Sequence, residues 1–177
     1  MPDTSSGGRF SGQVVVITGS ATGIGRATAI RFASEGAAVA CLDIEQEENE
    51  ATAADASALG AQTIALACDV RSHAEQEAAI VAVVERWGRI DVLVACAGVY
   101  VGGPLPGISL ERWDDLVAVN LTGVLVSNSL VSPIMIEQGG GAIVNISSMA
   151  GKTSWPNSAE YSATKSGVIG VTRSAAM

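Results

Sequence analysis

The chain has 177 residues and a formal net charge of −8, and 48% of its residues are hydrophobic while only 16% are charged. This composition predicts one folded domain with a buried core and argues against a disordered segment. The negative charge argues against binding to nucleic acid or anionic lipid. The sequence contains no run of 18 or more apolar residues, so a membrane span is not expected.

Residues 1–12 are polar and rich in Gly and Ser, so we expect a flexible tail ahead of one domain over residues 13–177. The tail lacks the basic and apolar regions of a signal peptide. The three cysteines form no C-x-x-C pair and suit buried thiols in a reducing compartment, which predicts a cytoplasmic protein. With His73 as the one histidine, neither a Ser-His-Asp triad nor a multi-histidine metal site is expected, and we predict no metal.

Apolar runs alternate with helical patterns along the chain. The predicted strands are 14–17, 38–42, 63–67, 91–95 and 142–146, and the predicted helices are 24–35, 46–59, 72–87, 109 to about 137, and 158–177. Ser72 and Glu75 fit a capping box at the start of the third helix. The alternation predicts an α/β fold, a Rossmann-type doubly wound parallel sheet in the strand order 3-2-1-4-5 with helices on both faces.

No predicted strand follows 142–146 to pair with its apolar edge, and such an edge is an association hazard. We therefore expect that the C-terminal strands of the sheet are missing, and that the chain is a truncated form or that a partner covers the edge.

A glycine-rich turn, Thr18–Gly25, follows the first strand. Gly19, Gly23 and Gly25 would allow a tight turn and close approach of the backbone to a pyrophosphate at a helix N-terminus. Asp43 ends the second strand, where a carboxylate accepts hydrogen bonds from ribose hydroxyls and repels a 2′-phosphate. Because the next charged residues after Asp43 are all acidic, the pattern favours NAD over NADP. Asp69, after the third strand, either contacts the adenine edge or merely flanks a helix.

Tyr161 and Lys165 are four residues apart in the last predicted helix and so lie on one face. A free phenol has a pKa of about 10, so a base that works near pH 7 requires roughly 4 kcal/mol of differential stabilisation. The Lys165 ammonium and an oxidised nicotinamide would both favour the phenolate. We therefore expect Tyr161 to exchange the hydroxyl proton during hydride transfer. Alone, this spacing would more simply be a surface pair.

Together these motifs resemble the single-domain branch of the short-chain dehydrogenase/reductase family over nearly the whole chain after the tail. The motifs that carry the resemblance are Thr18–Gly25, Asp69-Val70, Ala97-Gly98, Asn120, Ser148, and Tyr161 with Lys165. One departure is Ala95-Cys96-Ala97-Gly98, where the family has Asn-Asn-Ala-Gly, and lost side-chain bonds there would loosen the fourth strand.

The resemblance implies two sets of site residues. The catalytic set is Asn120, Ser148, Tyr161 and Lys165, in which Asn120 disrupts a helix and holds a water linked to Lys165. Ser148, which lies 13 residues before Tyr161, orients the substrate oxygen in preference to Ser147. The cofactor-binding set is Gly19, Ser20, Thr22, Gly23, Ile24, Gly25, Asp43, Asp69, Val70, Cys96, Ala97, Gly98, Tyr161 and Lys165.

Two functions follow from these sequence features. The first is NAD-dependent oxidation of a secondary alcohol or reduction of a ketone, with a small-molecule substrate and no nucleic acid or membrane partner. The alternative is a truncated, catalytically inactive nucleotide-binding or interaction module. The resemblance also implies a homodimer or homotetramer through the apolar faces of the helices 109–137 and 158–177, although these faces could simply pack on the sheet.

Overall fold

A computed structural model describes residues 8–153 and 155–177 of the chain, with strands and helices in alternation. The strands are β1 (Val14–Thr18), β2 (Ala38–Asp43), β3 (Thr63–Ala67), β4 (Val92–Ala95) and β5 (Ala142–Asn145). The helices are α1 (Gly23–Ser34), α2 (Gln46–Ala58), α3 (His73–Trp87), α4 (Leu110–Val117), α5 (Gly123–Glu137) and α6 (Ala159–Ala175). A π-helical turn (Ala118–Thr122) joins α4 to α5, and a short 3₁₀ helix (Met149–Gly151) follows β5.

Within the described residues the strands form one parallel sheet in the order β3-β2-β1-β4-β5, which confirms the predicted fold. All five residues of β1 are buried, because helices cover both faces of this central strand, and its sequence is therefore an unbroken apolar run up to Thr18. The chain reverses its direction of winding beside β1, which places a crevice at the carboxyl ends of β1 and β4. β5 lies at the edge of the sheet, and Val144 on it is 46% exposed.

Two apolar layers fix the sheet between its helices. On one face Val16 and Leu93 pack with Val83 of α3 and Val131 of α5. On the other face the side chains of β1, β2 and β4 pack with small alanines of α1 and α2. Both layers are closely packed, so the strand ends that carry the site are held rigidly.

The predicted helix 109–137 is one helical path with a defect in its middle. Over Ala118–Thr122 the backbone hydrogen bonds change from the i→i+4 pattern of an α-helix to the i→i+5 pattern of a π-helix. Pro133 lies inside α5 and does not interrupt it. By length and hydropathy Leu110–Glu137 could cross a membrane. Core helices of globular proteins pass the same test, and α5 packs against α3, β4 and α6 here.

The predicted capping box is only half formed. Ser72 Oγ accepts a hydrogen bond from the Glu75 N–H at 3.3 Å, as predicted. The Glu75 carboxylate, however, accepts from the Asp69 N–H at 2.9 Å and not from Ser72. The acid that should cap the helix therefore fixes the backbone at the end of β3, where the predicted site lies.

Part of the predicted tail contacts the domain. The Phe10 ring packs edge-on against Phe32 with 4.6 Å between centroids, and Arg9 forms an ion pair with Glu35. Residues 1–7 lie outside the described residues.

Candidate functional site

A cavity of about 810 Å³ lies at the carboxyl ends of the strands. Its size is in the range of small-molecule and cofactor sites. Most of the predicted site residues line it: Gly19, Thr22, Gly23, Ile24, Gly25, Asp43, Asp69, Val70, Cys96, Ala97, Gly98, Ser148, Tyr161 and Lys165. The fold therefore brings together residues that are up to 146 positions apart, as the strand order requires.

Ser20 and Asn120 are not on the cavity wall. The Ser20 hydroxyl is buried and bonds to Asn49 Oδ1 at 2.7 Å and to the Leu42 carbonyl at 3.2 Å. It therefore ties the glycine turn to β2 and α2, and its side chain does not face the cavity. Asn120, fully buried, lies just behind the wall.

The glycine turn needs its glycines for two separate reasons. Gly19 has a φ of +70°, and a Cβ there would lie 2.6 Å from the Ala97 Cα, so the turn packs directly on the loop after β4. A Cβ on Gly25 would overlap the Gly19 carbonyl oxygen. Only a turn with bare backbone at these points can bring the start of α1 into the cavity.

The N-terminus of α1 is open to a ligand. In the described part of the chain the Thr22 side chain makes no capping bond, and the first turn of α1 holds no acidic residue. The first N–H groups of a helix lack partners within the helix and carry partial positive charge. These groups can hold an anion such as a pyrophosphate.

Asp43 braces the turn as well as facing the cavity. Its Oδ2 accepts a hydrogen bond from the Ala21 N–H at 2.8 Å, and its Oδ1 accepts from the Glu45 N–H at 3.0 Å. Each oxygen of an ionised carboxylate has a second lone pair. Asp43 can therefore hold the turn and still accept bonds from hydroxyl groups.

Asp69 is held by a cation that the sequence analysis did not place in the site. Arg71 Nε lies 3.0 and 2.9 Å from the two Asp69 carboxylate oxygens, and Arg71 also lines the cavity. The Arg71 guanidinium beside it lowers the pKa of the Asp69 carboxyl, chiefly through these hydrogen bonds. The expectation for NAD rested on the acidic residues after Asp43, whereas Arg71 follows the neighbouring strand β3.

The loop after β4 keeps its backbone anchored despite the departure at Cys96. Thr18 Oγ1 accepts hydrogen bonds from the N–H groups of Cys96 and Ala97, at 3.1 and 3.2 Å. This hydroxyl supplies an anchor between β1 and β4 that does not need an asparagine at Cys96. Burial raises the pKa of the Cys96 thiol, while the nearby Lys165 opposes that shift. Sequence analysis placed Thr18 in the glycine-rich turn but gave its hydroxyl no role.

The π-helical turn places Asn120 beneath the loop after Gly98. Its Oδ1 accepts from the Val99 N–H and its Nδ2 donates to the Val99 carbonyl, both at 2.8 Å. Nδ2 also lies 3.4 Å from Thr164 Oγ1 on α6. The predicted disruption of the helix is present, and it joins the β4 loop to the helix that carries Tyr161 and Lys165.

Lys165 is a buried cation with spare hydrogen-bonding capacity. It is 4% exposed, and its Nζ donates to the Ile146 carbonyl at 2.9 Å. Burial lowers its pKa. A Cβ on Gly98 would lie 3.2 Å from both Lys165 Nζ and Asn120 Oδ1, so these two polar atoms border the same small space. An ammonium has three donors, which leaves two for a ligand or a water.

Tyr161 has Lys165 and a second phenol as neighbours. Lys165 Nζ is 5.8 Å from the centroid of the Tyr161 ring, and the Tyr100 ring packs edge-on against it at 5.0 Å. The Tyr100 hydroxyl is 3.0 Å from Ser158 Oγ, at the N-terminus of α6. The Tyr161 ring therefore contacts the Tyr100 ring and lies near the Lys165 ammonium.

The two serines after β5 point in different directions. Ser147 Oγ donates to the Lys165 carbonyl at 2.8 Å, so it holds α6 in place. Ser148 Oγ accepts from the Ala150 N–H at 3.1 Å and keeps its own proton for a group in the cavity. Both serines line the cavity, and the role of Ser148 as a donor to a substrate stays a prediction.

Residues 13–177 match the sequence model of a family described as short chain dehydrogenase. The chain is 41% identical over 165 residues to the D-threitol dehydrogenase of Mycolicibacterium smegmatis, covering 93% of this chain and 64% of that protein. It is 39% identical over 172 residues to the levodione reductase of Leifsonia aquatica, covering 96% of this chain and 64% of that protein. The crystal structure of an NAD+-bound xylitol dehydrogenase superposes with a TM-score of 0.93 at 36% identity, covering 95% of this chain and 65% of that one. The chain therefore spans about two thirds of the length of these relatives.

Proposed function

Since this chain belongs to the short-chain dehydrogenase family, we propose that it interconverts a secondary alcohol and a ketone with a nicotinamide dinucleotide. The observation that carries the proposal is the position of Tyr161 and Lys165 in the same cavity as the glycine turn. A proton-exchanging phenol and a pyrophosphate site in one cavity suit hydride transfer better than any other reaction of these groups.

The residues present fit a dinucleotide. The open N-terminus of α1 would take the pyrophosphate, and Asp43 would accept the adenosine ribose hydroxyls. The spare donors of Lys165 would hold the nicotinamide ribose. When bound, the nicotinamide ring supplies the hydride acceptor or donor.

The chain's own groups move the proton. In oxidation the Tyr161 oxygen takes the substrate hydroxyl proton, and in reduction it returns the proton to the carbonyl oxygen. Ser148 donates a hydrogen bond to that oxygen and stabilises its developing charge. The Lys165 ammonium stabilises the phenolate, and the space beside Gly98 between Lys165 and Asn120 suits a water that replenishes the proton.

We expect NAD to bind better than NADP. Asp43, Ile44 and Glu45 line the cavity on its ribose side, and two of the three are acidic, so a 2′-phosphate would meet like charge there. Arg71 lines the same cavity, but Asp69 already engages it. The substrate side is bordered by Tyr100, which suits an alcohol or ketone with an apolar face.

The decisive test follows NADH formation with a panel of polyols and cyclic secondary alcohols, run with NAD and with NADP. Tyr161→Phe should lower turnover by about 10² or more, the usual size of a general acid–base contribution, and leave NAD affinity within a few fold. Lys152→Met, a change on the loop after the 3₁₀ helix, serves as the matched control and should leave turnover unchanged. Equal background rates from the unsubstituted chain and Tyr161→Phe would refute the enzymatic function.

The second candidate is a dinucleotide-binding module without turnover. This candidate is favoured by the exposure of the substrate side of the cavity, where Met149 is 69% and Tyr100 is 59% exposed. Hydride transfer requires water to be excluded, and an open side admits it. Calorimetric titration separates the candidates: NAD binding without turnover supports the module, and NAD binding with turnover supports the enzyme.

We further propose that the chain forms a homodimer or homotetramer through α5. The buried face of α5 packs within the domain, but Leu125 and Ile136 on this helix remain 52% and 79% exposed. Light scattering should give at least twice the 17.9 kDa chain mass, and Leu125→Glu should shift it toward the monomer.

A further inference from the structure

An ion pair that is not part of the cavity wall ties α4 to the first turn of α6. Arg112 Nη2 donates to Glu160 Oε1 at 3.0 Å, and Glu160 directly precedes Tyr161 in the chain. The Glu160 side chain is 3% exposed, less than any other ion-paired carboxylate in the described part of the chain. A buried pair of this kind adds little net stability, but loss of one partner leaves a buried charge uncompensated. Neither net stability nor the proposed proton transfer therefore accounts for the pair.

The first turn of α6 is not held by its own N-cap. Ser158 occupies that position but makes no capping bond. Its Oγ instead donates to the Pro156 carbonyl at 3.3 Å and lies 3.0 Å from the Tyr100 hydroxyl. The Glu160 carboxylate belongs to the same turn, where the helix N-terminus favours negative charge. Arg112 therefore holds this turn through its acidic group.

Arg112 is itself held in place on α4. Its backbone N–H donates to Ser109 Oγ at 3.3 Å, in the N-terminal cap of that helix. Its guanidinium packs on the bare backbone of Gly103, where a Cβ would lie 3.2 Å from Nη2. The Gly103 N–H in turn donates to the Asn157 carbonyl at 2.7 Å, just before α6. The side chain that reaches Glu160 is therefore fixed at its base and along its path.

The helical path from α4 through the π-helical turn attaches to α6 at two points. Glu160 and Thr164 are four residues apart and therefore share one face of α6. Glu160 binds Arg112, and Thr164 Oγ1 lies 3.4 Å from Asn120 Nδ2 in the π-helical turn. Two contacts on one face fix the rotation of the helix about its own axis.

Tyr161 and Lys165 form the neighbouring face of the same helix, one position further along, and both line the cavity. Successive residues of an α-helix differ in direction by about 100°, so the docked face sets the direction of its neighbour. We propose that Arg112 is a positioning residue, which through Glu160 sets the rotation of α6 and thereby the direction of the Tyr161 ring. Its importance for turnover rests on the proposed function, whereas the placement of the ring does not.

The placement of the ring can be measured without turnover. Tyr100 and Tyr161 are the two tyrosines of the chain, and Tyr100→Phe assigns their signals in NMR spectra of protein with isotope-labelled tyrosine rings. The edge-on contact of the two rings, with 5.0 Å between centroids, makes the chemical shift of each ring sensitive to the orientation of the other. Arg112→Met should therefore move the Tyr161 ring signals toward their positions in the unfolded chain.

A matched control separates this effect from the general cost of breaking an ion pair. Arg89 also pairs with a carboxylate that is mostly buried, that of Asp91, whose side chain is 12% exposed. This pair lies just before β4, at the end of the sheet opposite to the cavity. Arg89→Met should lower the urea denaturation midpoint, as Arg112→Met should, but leave the Tyr161 ring signals unchanged.

Steady-state kinetics with NAD and the most reactive alcohol of the panel described above tests the consequence for turnover. Arg112→Met should lower the denaturation midpoint and should also lower turnover about tenfold, because Tyr161 is misdirected. In Arg112→Met/Glu160→Gln no buried charge is left unpaired, so the midpoint should recover. The link to α4 is still missing in that variant, so its turnover should stay low. Arg112→Lys, which can keep the single contact to Oε1, should retain turnover within about threefold.

Unmoved Tyr161 signals in Arg112→Met, or turnover that recovers together with the midpoint in the double variant, would overturn the inference alone. So would an equal displacement of the signals by Arg89→Met, because the effect would then be general. If Arg112→Met does not fold, the double variant carries the same NMR test, since its Tyr161 signals should also be displaced. An unsubstituted chain without turnover would sink the proposed function, and the ring signals would still decide whether Arg112 positions Tyr161.

Discussion

Replacing Thr18 by valine should separate the anchoring of the cofactor loop from its chemistry. Thr18 is 3% exposed, and its Oγ1 accepts from two consecutive amides, those of Cys96 and Ala97. Valine has nearly the same shape but no acceptor. The substitution therefore leaves two donors unpaired beneath the loop that carries Gly98, without creating a cavity.

The expected magnitude follows from those two bonds. An unpaired buried donor costs about 1–3 kcal/mol, and the lower end applies because Cys96 and Ala97 are only half-buried and water can reach them from the cavity. Two such donors should lower the free energy of unfolding by about 2 kcal/mol. Thr18→Ser keeps the acceptor and loses one methyl group, which should cost about 1 kcal/mol.

Urea denaturation followed by circular dichroism measures the difference. With a slope of about 2 kcal/mol per molar, Thr18→Val should lower the midpoint by about 1 M, and Thr18→Ser by about half of that. NAD affinity should fall in Thr18→Val more than in Thr18→Ser, because the loop loses its anchor. Equal stability of the two variants would refute the reasoning, since it would mean that the hydroxyl holds nothing.

Three further predictions test the interior of the site. Gly98→Ala should lower turnover at least tenfold, because its methyl group would lie 3.2 Å from Lys165 Nζ and Asn120 Oδ1. It should cost little stability, because the backbone at Gly98 is not strained. Steady-state kinetics measures the first effect and urea denaturation the second. Lys165→Met should abolish turnover. It should also raise the urea denaturation midpoint of the free chain at pH 7, because it removes a buried charge whose pKa is lowered by burial. This difference in midpoint from the unsubstituted chain should shrink in alkaline solution, where the Lys165 ammonium loses its proton. Burial raises the pKa of the Cys41 thiol from 9.0 to about 11, so as the pH rises the unfolded chain loses this proton before the folded chain does. The free energy of unfolding should therefore fall between pH 9 and 11. Cys41→Ala should make that fall less steep in urea denaturation at a series of pH values.

The order of the sheet could be predicted because its signal is local. Continuous β-branched runs such as Val14–Thr18 mark strands covered on both faces, and alternation with helices allows few topologies. The same reasoning placed Asp43 and Asp69 at one edge, since parallel strands end together. A disruption of the helix at Asn120 was expected from the family resemblance, but its form, a π-helical turn, was not.

The hydrogen-bond and ion-pair partners of the site residues could not be predicted from the sequence, because they depend on which side chain of a loop turns inward. Arg71 lies two residues from Asp69, but nothing in the sequence distinguishes a bidentate pair from two solvated charges. The half-formed capping box failed for the same reason, because Glu75 had a choice between two N–H groups and took that of Asp69. Ser20 sits among the glycines of the turn, and only the packing of α2 shows that its hydroxyl faces Asn49.

The two halves of the cavity differ in how they are built, and this difference bears on function. The dinucleotide half depends mainly on backbone: a glycine turn, the first turn of α1 and strand ends braced by Thr18 and Asp43. The half that is proposed to exchange protons depends on side chains, with the Tyr161 ring in contact with Tyr100 and near Lys165. Backbone sites tolerate side-chain change, whereas a buried ammonium costs stability when, as here among the described residues, no carboxylate pairs with it. The proposed proton exchange at Tyr161 would account for this cost at Lys165, whose ammonium donates to the Ile146 carbonyl.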